Sequence, residues 1–196
     1  MREPVIFKTT DGDKQLTFKI YPFPATKSED LLIRILLLTG KNLDLDASVS
    51  YKEIIRALAS VPHMEAKALL DELLTCVYKI DGNNERQFSY DDADGYISNP
   101  MTLIRLRVES LKVNFSFFSK FRETVLPRRA EFLADCAKVR GVAQVSNFPP
   151  LFSRLISGGM ATLTELQTTI TLEEAYQLDE ILLVKNYNAW LANKSD

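Results

Sequence analysis

Catalysis and metal binding need particular residues at particular spacings, and this chain of 196 residues offers few candidates. His63 is the single histidine. A triad needs a nucleophile, a base and an orienting group, and no nucleophile motif lies near it. It follows Pro62 at an expected helix start, which points to a surface or capping role. Cys76 and Cys136 stand far apart, and neither belongs to a CxxC pair. With one histidine they make no zinc ligand set. Both fall in apolar helical patterns, so two reduced, buried thiols are expected. The run Asp91-Asp92-Ala93-Asp94-Gly95 has a calcium-loop flavour. With Gly95 as its sixth residue, however, its first and twelfth positions become Tyr90 and Met101, where oxygen ligands are required. No GxxxxGK[ST] or GxGxxG is present to cradle a phosphate. The expectation is a protein that is not an enzyme, with no catalytic residues, no cofactor and no metal.

Charge narrows the partners. The formal net charge is -2, so the chain as a whole does not attract nucleic acid. One basic segment holds Lys120, Arg122, Arg128, Arg129, Lys138 and Arg140 against Glu123, Glu131 and Asp135. It lacks stacking aromatics and a reader motif, so it reads as a solvated helix face. The last 26 residues are acidic by contrast, with Glu173, Glu174, Asp179, Glu180 and Asp196 against Lys185 and Lys194. The two segments could pair within one chain or between copies. The N-terminal stretch lacks the apolar run and cleavage site of a secretory signal. The most apolar stretch, Leu31 to Leu38, would span about 12 Å as a helix. A bilayer core is about 30 Å thick, so no membrane segment is expected and the cytoplasm is the expected location.

The elements that would position any site follow from periodicity. Val5, Ile6 and Phe7, a turn at Asp11-Gly12, and alternating Leu16, Phe18 and Ile20 predict a β-hairpin over 5–20. A helix over about 26–39 is apolar nearly all round, which predicts burial on most sides. Tyr51, Ile54, Ile55 and Leu58 predict a one-sided helix. A further helix begins at Pro62, with Ala66, Leu69, Leu70, Leu73, Leu74 and Val77 as its inner stripe. Residues 81–99 read as an irregular loop with a short strand around Gln87-Phe88. The helix over about 99–122 carries two apolar faces, one with Ile104, Val108 and Leu111, the other with Leu103, Leu106 and Phe117. It should be covered on two sides as the central element of its domain. A helix at about 127–139 follows Pro127.

Residues 141–150 mix Gly, Asn and Pro and read as a linker. A short helix over 151–157 closes at Gly158-Gly159. Thr171 and Glu174 form a capping box that starts a final helix over about 171–192. That helix bears Leu172, Tyr176, Leu182, Leu183, Tyr187 and Trp190 on a half-circle too wide for a terminal element. It must fold back on the domain or dock elsewhere, and those six residues are the candidate partner-binding surface. The expected fold class is α+β and mostly α: an N-terminal β-hairpin packed on a helical core, with a C-terminal helical appendage. The expected domains are 1–140, a linker at 141–150, and an extension at 151–196.

Two stretches carry a family resemblance. A hairpin is followed by Tyr21-Pro22-Phe23-Pro24-Ala25 and a leucine-rich helix, and a long helix later ends Val113-Asn114-Phe115-Ser116-Phe117-Phe118. This order resembles the N-terminal domain of tail assembly chaperones of long-tailed bacteriophages. Gly159 to Leu166, Thr171 to Glu180 and Tyr187-Asn188-Ala189-Trp190 are similar to C-terminal portions of small phage tail-assembly proteins. There a threonine-leucine strand or turn precedes an acidic helix. The resemblance implies a non-catalytic chaperone that coats the tape measure protein and recruits tail tube subunits. It implies action in the host cell cytoplasm, absence from the mature virion, and an extension added in many relatives by ribosomal frameshifting. Self-association is a further expectation, and nucleic acid and membrane are not expected partners. The competing reading is another helical phage or prophage adaptor or regulatory protein.

Overall fold

The computed structural model describes residues 3–39, 55–56, 58, 60–89, 93–120, 122, 124–138 and 145–194. Strand β1, Val5–Asp11, pairs antiparallel with β2, Lys14–Ile20, in a register running from Val5 opposite Ile20 to Asp11 opposite Lys14. Gly12, at φ 60°, opens the two-residue turn. Positive φ at the first turn position matches the right-handed twist of the strands.

The same device recurs where the sequence suggested an irregular loop. Asp81-Gly82-Asn83-Asn84 joins β3, Val77–Asp81, to β4, Asn84–Gln87, again with glycine first and φ 60°. Strand β3 lies antiparallel to β2, with Ile20 opposite Val77, so the sheet order is β1-β2-β3-β4. The helix expected to run through Val77 stops earlier. Helix α2, His63–Glu72, tightens into a 3-10 turn at Leu73–Cys76, and Val77 opens the strand. Backbone bonds from Tyr21 N–H to Cys76 O at 2.9 Å and from Phe88 N–H to Val77 O at 2.8 Å hold the chain extended there. These sheet bonds outweigh the helical spacing of the apolar residues.

The sheet buries Leu16, Phe18, Ile20 and Val77 on its inner face. Phe18 meets Phe7, Phe88 and Tyr96, with ring centroids 5.8 to 6.5 Å apart. Helix α1, Ala25–Thr39, packs Leu31, Leu32 and Ile35 inward, yet Leu37 is 76% exposed, so it is not enclosed all round. After the short helix α3, Ala93–Tyr96, the chain enters α4, Pro100–Phe115, extended by a 3-10 turn at Ser116–Lys120. The Asn99 side chain caps α4 by accepting from Met101 N–H at 2.9 Å. Its deepest stripe is partly polar, with Thr102, Leu106, Ser110 and Asn114 all buried.

Three more helices close the chain after α5, Arg129–Lys138. They are α6, Pro150–Ser157; α7, Leu163–Thr168; and α8, Leu172–Lys194. Helix α7 stands where a strand or turn was expected. Thr162 and Glu165 form a capping box of the Thr-x-x-Glu type, which starts it as a helix. The box expected at Thr171 and Glu174 is present, with Glu174 N–H donating to Thr171 Oγ1 at 3.2 Å. The class is therefore α+β and mostly helical, with the N-terminal hairpin on a helical core.

One core unites the sheet, α1 and α4 with Leu151, Phe152, Leu155, Leu166, Leu172 and Ala175 from beyond residue 150. Ala25 N–H bonds Ile170 O at 2.7 Å, and Arg154 clamps Asp179 through two bonds of 2.8 and 2.7 Å. A smaller cluster, centred on Leu126, Phe132 and Tyr187, joins α5 to the distal half of α8. Residues 141–144 of the expected linker, and Tyr51 and Ile54 of the expected one-sided helix, lie outside the described residues.

Candidate functional site

The six residues that the sequence singled out on the last helix divide sharply by position. Leu172, at 1% exposure, belongs to the main core, and Leu182 is also buried. Tyr176 is half-buried, its ring 5.9 Å from Phe117 and 5.5 Å from Phe118. Tyr187 is buried, and half-buried Trp190 lies beside it with centroids 5.7 Å apart. Only Leu183 faces outward, joined by Ile181 at 55% exposure. The half-circle of apolar residues is wide because α8 meets two separate clusters along its length, and most of it is used inside this chain.

The face of α4 that carries Ile104 and Val108 is also open. Leu103, Ile104, Val108 and Leu111 form one wall of a groove of about 480 Å³. Leu58, Val61, Ala66 and Leu70, in and before α2, form the other. Arg107 crosses its floor, donating to Leu70 O and to Asp71 Oδ1, each at 3.2 Å, and so ties α4 to α2. Ile104 is 47% exposed and Met101 51%. The sequence carried this signal as the two-sided apolar pattern of the helix, but a second covering element was expected where the groove lies. His63, an exposed residue, stands at the groove's edge among apolar neighbours.

The buried polar groups serve the frame. Asp11, at the hairpin tip, accepts from Ser98 N–H at 2.5 Å, Asn99 N–H at 2.9 Å and Thr102 Oγ1 at 2.9 Å. The Ser98 amide, helped by Thr102 and Asn99, holds its carboxyl below the usual range. That carboxylate fixes the sheet to the start of α4. Asn114 accepts from Phe23 N–H at 2.7 Å and donates to Ser110 O at 2.8 Å, joining α4 to the segment before α1. Burial pushes the Cys76 thiol up to about 11, so it is no nucleophile at neutral pH. Cys136, expected to be buried, is exposed, because α5 buries only Phe132. Burial, with Asp30 adjacent, pushes Glu29 up to about 7.

A second groove, of about 650 Å³, runs beside the outer sheet face past Tyr21, Pro22, Tyr78 and Thr168. Its charges are already matched: Glu85 takes Lys19 Nζ at 2.5 Å and the Tyr21 hydroxyl at 2.8 Å. Among the described residues, no group of three or more His, Cys, Asp or Glu side chains is arranged to hold a metal ion, and no helix is long and apolar enough to cross a membrane. Asp91 and Asp92 lie outside the described residues. The basic 120–140 segment and the acidic tail do meet within the chain, but the ion pair runs against their net charges. Lys194 of the tail lies 2.8 Å from Asp135 and 3.8 Å from Glu131.

The family model described as phage tail assembly chaperone protein, TAC, matches residues 14–126. That span holds most of the sheet, α1, α2 and α4, and the whole groove between α2 and α4. No curated protein and no solved structure is significantly similar to the chain.

Proposed function

We propose a function from one premise: the chain belongs to the phage tail assembly chaperone family. It binds the tape measure protein during tail assembly and brings tail tube subunits to it, without catalysing a reaction. It acts in the host cell cytoplasm and is not retained in the finished virion. The observation that carries the reading is the apolar groove between α2 and α4, inside the family-matched residues. A groove walled by Leu, Ile, Val and Ala suits the apolar ridge of a partner helix, read at i, i+3, i+4 and i+7.

A tape measure protein is long and apolar, and left bare it would aggregate. One groove of this size buries modest area, so a single contact is weak and reversible. Repetition along a long partner gives a stable coat by avidity and still permits stepwise displacement by tube subunits. Self-association of neighbouring copies along the tape would add to the same effect. Co-expression with the tape measure protein of the same phage tests the reading. The expected outcome is a soluble complex that co-purifies. A tape measure protein that stays insoluble, or purifies without this chain, overturns it.

A further inference from the structure

The distal half of α8 leaves the main core. Its first half is anchored there by Leu172 and Ala175, whereas Tyr187, Trp190 and Leu191 turn toward α5. Helix α5 is a weak cover. It has ten residues, fewer than the about 12 to 15 that an isolated helix needs to persist in water. Its only buried residue is Phe132. That ring packs edge-on against Tyr187 and Trp190, with centroids 5.5 and 5.6 Å away.

Leu126, just before the helix, is buried in the same cluster, and the rest of the attachment is polar. Trp190 Nε1 donates to Asp135 Oδ2 at 3.0 Å, and Lys194 Nζ lies 2.8 Å from that carboxylate. Just before the helix, Arg128 N–H donates to the Tyr187 hydroxyl at 3.1 Å. An element held by one ring of its own, the adjoining Leu126 and a few part-buried bonds, with its other residues exposed or half-buried, opens before the global fold does.

We infer that the Tyr187–Trp190 face of α8 is a protein-docking site, kept closed in the free chain by α5, and that its partner is a helix presenting an aromatic residue with carboxylates on the same face. The chain itself specifies this chemistry. Glu131, Phe132 and Asp135 place one ring and two acids where Tyr187, Trp190 and Lys194 receive them. A partner helix with the same pattern replaces the contacts of Glu131, Phe132 and Asp135. The bound carboxylates pair Trp190 Nε1 and Lys194 as before, and of these polar groups on α8 the Tyr187 hydroxyl alone exchanges its Arg128 N–H donor for water or a partner group, so exchange costs little. That the natural partner is a tail protein rests on the chaperone reading; the closed site does not.

Trp190 is the chain's single tryptophan, so its emission reports the state of this face directly. In the 196-residue chain, Phe132→Ala should raise the open fraction about a hundredfold. Trp190 emission should move to longer wavelength while the far-UV circular dichroism midpoint of the main core stays in place. Asp135→Asn should give a smaller shift of the same sign. A synthetic peptide of residues 126–138, added in excess to the Phe132→Ala protein, should reverse the shift, and the same peptide with alanine at its phenylalanine should not. Emission unchanged by Phe132→Ala, or a shift that the peptide fails to reverse, overturns the docking site. Wild-type emission that depends on protein concentration also overturns it, since α5 of a second copy would then be the cover. A site that opens and takes the peptide while capturing no tail protein leaves the site standing and counts against the chaperone reading instead.

Discussion

Phe152→Ala tests whether the chain folds around one core. Phe152 sits on α6, is wholly buried, and belongs to the cluster that contains Phe18 of the sheet and Leu106 of α4. Removing its ring leaves a cavity between α6 and its neighbours, which relax only in part. Such a change costs about 3 to 5 kcal/mol. A domain of this size has about 5 to 15 kcal/mol in all, so the loss is a large share. Urea unfolding followed by far-UV circular dichroism should show one transition, shifted to lower denaturant by that amount with an unchanged slope. The shift should be the same when followed by a probe on the sheet, such as a fluorophore at Lys8. A loss below about 1 kcal/mol, or a second transition while the sheet probe stays put, would refute the shared core. Helices α6 to α8 would then be a separate unit.

Other outcomes follow from single contacts. A Cβ added at Gly158 would lie 2.7 Å from Leu182 Cδ2 and 3.0 Å from Arg154 O, so Gly158→Ala should cost about 1 kcal/mol in thermal or urea unfolding despite better helix propensity. Glu29 titrates near 7 in the fold, above the ordinary 4.5, so the folded state binds the extra proton between those values. Its stabilising effect is complete below about 4.5 and fades as pH rises through 7; after discounting for its partial exposure the swing is about 1 kcal/mol, and Glu29→Gln should flatten it in stability measured from pH 4 to 8. Asp11 is shifted the other way, so the stability it adds is present above the ordinary carboxylate pKa and is lost as pH falls through its lowered value. Asp11→Asn should accordingly remove part of the acid-side loss of Tm while lowering Tm at neutral pH.

The hairpin β1-β2, the capping box at Thr171 and the helical nature of most of the chain were legible because each is a local pattern. The second hairpin used the same Asp-Gly signal at 81–82, but Asn83, Asn84 and Glu85 carry no apolar alternation. Strand β4 is exposed throughout, so no buried face marked it. The helical pattern of α2 extends past its end because Leu73, Leu74 and Val77 are buried at helical spacing, and the pairing of Val77–Asp81 with β2, with the backbone bonds of Tyr21 and Phe88 to that stretch, decides otherwise. The breadth of the apolar face on α8 was visible, but periodicity cannot say that one end faces the main core and the other faces α5. For the same reason the two apolar faces of α4 were visible while the groove was not. Whether a second face is covered depends on how far α2 stands from it.

The affinity of a purified tape measure segment for this chain, wild type against Ile104→Glu, bears most directly on the proposed role of the groove. Ile104 is half exposed, so the substitution should leave the fold and its unfolding midpoint intact. A carboxylate in the groove should weaken binding at least tenfold, the cost of about 1.4 kcal/mol or more for a charge left unpaired on an apolar surface. Equal affinity of the two proteins, with both folded, would contradict the groove as the site that holds the tape.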